Sequence, residues 1–113
     1  MSTPFRELAE LDRLVHEPTR LAILTALAAC GGADFLFLQN LTGLTKGNLS
    51  AHLSKLQEAG LVEIEKRVVD NRPHTFARLS EGGRKVIREY WQTMERLRED
   101  AEQWQGVPIP SPV

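Results

Sequence analysis

The hydrophobic period of the chain changes abruptly at Gly60, and this switch limits the fold more than any other feature. Ahead of it, apolar residues recur at helical steps; beyond it they alternate. Asp34 can cap a helix over Phe35–Leu41. Thr42-Gly43-Leu44 then reads as a tight turn. Thr45 is an N-cap for a further helix to Ala59, which Gly60 ends as a C′ residue. Leu49, Leu53 and Leu56 fall on one face of that helix and are expected in the core. From Leu61 to Val68 the pattern is that of a strand. Asp70-Asn71-Arg72-Pro73 has turn chemistry, and Thr75–Leu79 reads as the return strand. The fold class is therefore mainly α with a small β-hairpin, an α+β chain.

Helices flank this centre. Thr3 and Pro4 suit a helix start, and Phe5, Leu8, Leu11 and Val15 keep helical spacing until Pro18 ends the run. A second helix, Thr19–Ala29, is apolar on most sides and belongs in the centre of the core; Gly31-Gly32 stops it. Ser80 can cap a last helix reaching Trp104. Ile87, Tyr90, Met94, Leu97, Ala101 and Trp104 step by three and four, a coiled-coil-like stripe. A chain of 113 residues has little core for so long a helix to cover. The expected use is a homodimer interface of Phe5, Leu8, Tyr90, Trp91, Met94, Leu97 and Trp104. One domain over 1–105 is predicted, with a flexible Pro-rich tail over 106–113.

Two helices joined by a short glycine turn form the DNA-reading helix-turn-helix. Its second helix enters the major groove and needs an outer face that is short and polar. The outward residues of 45–59 are of this kind. Lys46, Asn48 and Ser50 suit base edges, whereas Thr45, Ser54 and Lys55 suit phosphate oxygens. His52 borders the buried face, where packing and DNA contact are both open to it. At the hairpin tip Arg72 suits a narrow minor groove, with Lys66, Arg67 and His74 beside it. Lys66, Arg67, Arg72 and Arg78 against Asp70 make a local net +3 in a chain of net charge −1. A local basic segment can place phosphates without making the whole surface cationic. Double-stranded DNA is the expected partner.

Other functions find little support. No Ser/His/Asp set, phosphate loop or paired-carboxylate site stands out, so the chain is not expected to be an enzyme or to hold a cofactor. His16, His52 and His74 lack metal-ligand spacing, so no metal site is expected. The single Cys30 excludes an internal disulfide, fits a reducing compartment and is expected as a small buried side chain. The N-terminus does not read as a signal peptide and no apolar run is long enough for a membrane span, so the expected location is cytoplasmic.

The runs His16–Leu24, Leu41–Lys66 and Arg78–Arg84 resemble winged-helix transcriptional regulators of the MarR and ArsR type, most closely a compact single-domain group. The similarity extends over about Leu8 to Leu97, and its most specific stretch is LTKGNLSAHLSKLQEAGLVEIEK. The resemblance implies a winged helix-turn-helix, with the terminal helices as dimer interface and the hairpin (67–75) as the wing. The expected function is a sequence-specific DNA-binding transcriptional regulator, a dimeric repressor whose two-fold symmetry calls for a near-palindromic operator read with helix 45–59; the Asp70-x-Arg72 spacing resembles the MarR wing, where an aspartate can orient an arginine. The chain departs from ArsR-type metal sensors, because Phe35–Asn40 carries no thiol. A small-molecule effector of unidentified kind is a further expected partner, with Trp91 and Met94 as candidate lining. The alternative is a winged-helix protein-interaction module, or a small-molecule sensor, with little DNA binding.

Overall fold

The computed structural model describes residues 2–106, so the expected tail lies, from residue 107, outside the described residues. The elements are α1 (Pro4–Ala9), α2 (Pro18–Cys30), β1 (Ala33–Asp34), α3 (Phe35–Thr42), α4 (Lys46–Glu58), β2 (Val62–Val69), β3 (Arg72–Leu79) and α5 (Glu81–Glu102). The three strands form one antiparallel sheet in the order β1-β3-β2, which leaves β2 on an edge. No described helix is long and apolar enough to cross a membrane.

The helix ends follow from local chemistry. Asp34, Thr45 and Ser80 each accept a hydrogen bond from the backbone amide three residues on, which satisfies one of the amides left free at a helix start. Gly43 closes α3 with φ +72° and Gly60 follows α4 with φ +78°, conformations that favour glycine. Ile23, Leu24 and Leu27 of α2 are fully buried, together with Leu38 of α3 and Leu49 and Leu56 of α4. Ala77, Leu79 and Ile87 close the core from the sheet and α5. Burying each of the large side chains contributes about 1.5–3 kcal/mol.

Four expectations need correction. First, α1 stops at Ala9 instead of running to Val15. Beyond it the Leu14 amide, which a helix would send back to the Glu10 carbonyl, donates to the Asp12 carboxylate at 2.9 Å, and the Arg20 guanidinium takes the carbonyl oxygens of Leu14 (2.6 Å) and Arg13 (3.1 Å). Those carbonyls are thus turned toward Arg20. Second, Pro18 opens α2 where a helix end was expected; Glu17 caps it by accepting from the amides of Thr19 and Arg20. Burial pushes the Glu17 carboxyl up, but the Arg20 and Thr19 amides and the Arg20 charge bring it below the ordinary carboxylate range. Third, the hairpin turn has two residues, Asp70 and Asn71, both left-handed, so Arg72, Pro73 and His74 lie in β3. Asp and Asn tolerate that region, and such a turn matches the strand twist. Pro73 fits because Val68–Pro73 is the pair next to the turn-closing pair Val69–Arg72, where ladder bonds are not formed between the two strands. Fourth, Cys30 is exposed at the last position of α2.

Along α5, α1 packs as a lid. Glu7 and Arg96 form an ion pair (3.2 Å), and Phe5 meets Trp104 edge-to-face at 5.6 Å. Leu97 is fully buried outside the main core cluster, and Tyr90 is buried within it.

Candidate nucleic-acid interface

The face of α4 opposite its leucines is open. Thr45, Lys46, Asn48, Ser50, Ser54 and Lys55 are all exposed, while Leu49, Leu53 and Leu56 hold the helix to the core. The Thr45 hydroxyl accepts from the Asn48 amide, which fixes the first turn and leaves its O–H free to donate outward.

Between α4 and the hairpin runs a cleft of about 730 Å³. Lys46, Ser50 and Ser54 reach it at successive turns of α4, and Lys66, Arg72 and His74 reach it from the strands. Phe35, Leu36, Leu53 and Ile64 lie between them, so helix and hairpin form a polar and basic rim around a partly apolar cleft. No ion pair holds Lys46, Lys66 or Arg72 among the described residues. His74 is half-buried, with Nδ1 3.9 Å from the Asp34 carboxylate that also caps α3. The same cleft includes Gln57 and Thr75, which the sequence reading left out. Gln57 extends the polar series Lys46, Ser50, Ser54 by a helical step of three, a signal present in the sequence.

Arg67 is not brought together with these residues. It pairs with Glu65 at 2.8 Å and lies over the Phe76 ring at 4.6 Å, in a separate cavity with Glu63 and Arg78. Its guanidinium pKa is raised by the hydrogen bond to Glu65. Arg78 is paired with Glu63. Two of the four basic residues counted toward the hairpin's charge are thus neutralised locally. Asp70 and Arg72 are not joined by an ion pair among the described residues, so the aspartate does not orient the arginine here. His52 turns to α2, where its Nδ1 lies 3.3 Å from Arg20 Nη1.

A helix-turn-helix followed by an antiparallel hairpin is the arrangement of a winged helix. The family model described as winged helix DNA-binding domain matches residues 19–98. The chain belongs to the winged-helix DNA-binding domain family. Uncharacterized protein MJ0432 of Methanocaldococcus jannaschii is 31% identical to it over 90 residues, covering 80% of this chain and 98% of that protein. Among solved structures, a transcriptional regulator homologue from Pyrococcus horikoshii superposes with a TM-score of 0.79 at 25% identity, covering 88% of this chain and 97% of that one. NadR, solved in complex with 4-hydroxyphenylacetate, is 28% identical with a TM-score of 0.64, covering 88% of this chain and 66% of NadR. The winged helix is of the MarR-like type, and the chain has the fold of a DNA-binding transcriptional regulator. In winged-helix terms, α3 and α4 are the helix-turn-helix, α4 is its second helix and β2–β3 is the wing.

Proposed function

We propose that the chain is a cytoplasmic, homodimeric repressor whose 1–105 domain reads a near-palindromic operator through α4 and the wing. The observation that carries this reading is the single open face shared by Lys46, Ser50, Ser54, Lys66 and Arg72. Lys46, Asn48 and Ser50 take base edges in the major groove; Thr45, Ser54 and Lys55 take phosphates; Arg72 reaches the adjacent minor groove. His74 stands at the cleft edge beside Asp34 and supports the wing more than it offers a contact. Fluorescence anisotropy with duplex DNA across a salt series tests the proposal. A regulator that neutralises phosphates loses affinity steeply as salt rises. Flat salt dependence, or no binding, would favour the protein-interaction alternative.

Homodimerisation is supported by what α1 and α5 leave uncovered. Phe5, Trp91 and Trp104 are each about half exposed (49%, 45% and 49%). Leu8 and Met94 are half-buried beside them, whereas Tyr90 and Leu97 are already buried by their own chain. The contact with a second copy therefore falls to Phe5, Trp91 and Trp104. Trp104→Glu should convert the dimer to monomer in sedimentation; a dimer of unchanged strength would place the interface elsewhere.

An effector site is supported by a cavity of about 380 Å³ between α2 and α5. Leu27 and Ile87 give it an apolar wall, Arg84 and Arg88 line it with cations, and Trp91 donates to the Thr25 hydroxyl at 3.1 Å. Met94 does not line it. An aromatic carboxylate of the kind bound by NadR fits this chemistry. Added 4-hydroxyphenylacetate should raise the melting temperature, and Arg88→Ala should remove the shift. No shift in the wild-type chain would count against the cavity as a site for this ligand class.

A further inference from the structure

We propose that the Arg20–His52 contact is a pH-sensitive latch on α4, so that DNA binding weakens as His52 gains a proton. The inference rests on the DNA-binding reading above. Arg20 is the buried charged side chain among the described residues, 9% exposed. Three of its guanidinium nitrogens are committed: Nε donates to the Leu14 carbonyl, Nη2 to the Arg13 carbonyl, and Nη1 faces His52 Nδ1 at 3.3 Å. Arg20 therefore ties the segment before α2 to the helix that carries the DNA-facing residues.

An arginine can only donate, so His52 Nδ1 must accept. That requires the neutral imidazole with its proton on Nε2. Protonation places a second donor at Nδ1, facing Nη1. The hydrogen bond is lost and two positive groups stand in contact.

The surrounding charges soften the repulsion and do not restore the lost hydrogen bond. From α2, Arg20 and Glu17 face His52. The Glu17 carboxylate is 3.8 Å from Nη1, accepts from two backbone amides and acts by charge on both Arg20 and His52, so it offsets part of the repulsion while leaving the hydrogen bond unmade. From the preceding loop come the two carbonyls held by Arg20. On α4 itself, Lys55 follows one turn later and adds positive charge. β2 also packs on α4, and its Lys66 lies in the cleft with Ser50 and Ser54. Two residues correspond to about 200° around a helix, which sets Ser50 and Ser54 on the side away from His52. Asn48 lies one turn before His52 and Lys55 one turn after, so release of the latch moves DNA-facing groups on both sides.

The test uses a fluorescein-labelled duplex of about two helical turns, selected by the chain from a random pool. Dissociation constants are measured at constant ionic strength from about pH 8 to about pH 5.5. His52→Gln keeps an acceptor that does not titrate, and the other histidines are common to both chains. The wild-type chain should lose about tenfold more affinity over this span than His52→Gln, the scale of one charge-assisted hydrogen bond. Equal pH responses in wild type and His52→Gln would overturn the proposal. NMR titration of the wild-type chain needs no variant and no DNA: the Arg20 side-chain N–H signals should shift with the midpoint of the His52 ring. Arg20 signals that stay fixed would overturn the latch. A chain that binds no duplex at any pH would overturn the DNA reading, and the Arg20 signals would still decide whether the latch exists.

Discussion

Gly83→Ala should destabilise the chain by roughly 3 kcal/mol, even though alanine is the better helix former. Gly83 is buried in the first turn of α5, where its amide donates to the Ser80 cap at 2.9 Å. A Cβ at this position would collide with the Leu61 carbonyl group: the carbonyl carbon would lie 2.9 Å away and Leu61 Cα 3.2 Å away, with the oxygen nearer still. That carbonyl is not free to turn, because it accepts the Ser80 amide at 3.0 Å and so locks the sheet to the start of α5. The helix-propensity gain of about 1 kcal/mol is smaller than the cost of forcing backbone apart in a packed core. Gly82→Ala is the matched control, since its Cβ would meet only ordinary contacts, with Ser80 Oγ at 3.7 Å and the Gly60 carbonyl at 3.8 Å. Thermal unfolding followed by circular dichroism should place the Gly83 variant roughly 10–15 °C below the wild type and the Gly82 variant at or slightly above it. Equal melting temperatures for the two variants would show that the α5–sheet junction yields.

On DNA, Arg72→Ala and Asn48→Ala should fail in different ways. Arg72 is exposed, unpaired among the described residues and placed where the wing meets the cleft, so it acts on backbone and groove shape. Its loss should weaken binding to every duplex and lower the salt slope by about one. Asn48 offers a donor and an acceptor on the open side of α4. Its loss should cost about 1–3 kcal/mol on the preferred sequence and little on others, because a base-edge pair carries discrimination. Arg67→Ala, with its guanidinium held by Glu65 in the other cavity, should leave both quantities nearly unchanged. The assay is anisotropy on the selected duplex and on scrambled controls. If Arg67→Ala cost more than Arg72→Ala, the assigned orientation of the wing would be wrong.

The parts of this fold that were legible in the sequence are those set by neighbours in the chain. Asp34, Thr45 and Ser80 cap their helices, and Gly43 and Gly60 end theirs, because cap geometry involves only a few adjacent residues. The leucine face of α4 followed from period alone, and with it the exposed face opposite. What escaped was set by distant groups. The helical spacing from Phe5 to Val15 continues past Ala9, but the segment beyond is held by the distant Arg20 through the Arg13 and Leu14 carbonyls, and its Leu14 amide turns to Asp12 instead of back to Glu10. β1 has two residues and is defined only by its partner strand, Ala33 opposite Ala77 and Asp34 opposite Phe76. Arg67 and Arg72 look alike in a count of charges. Strand register and the Glu65 side chain separate them. Leu97 belongs to the stripe of α5, and only the placement of α1 shows that its own chain buries it.

The position of β2 at the margin of the sheet has a consequence for crowding on DNA. One side of that strand offers unpaired amides and carbonyls, a template on which another chain could add a strand. Glu63, Glu65, Lys66 and Arg67 interrupt its apolar residues with charge, so strand addition would have to bury or oppose ions. Copies gathered at neighbouring sites can thus lie wing to wing without polymerising through their hairpins.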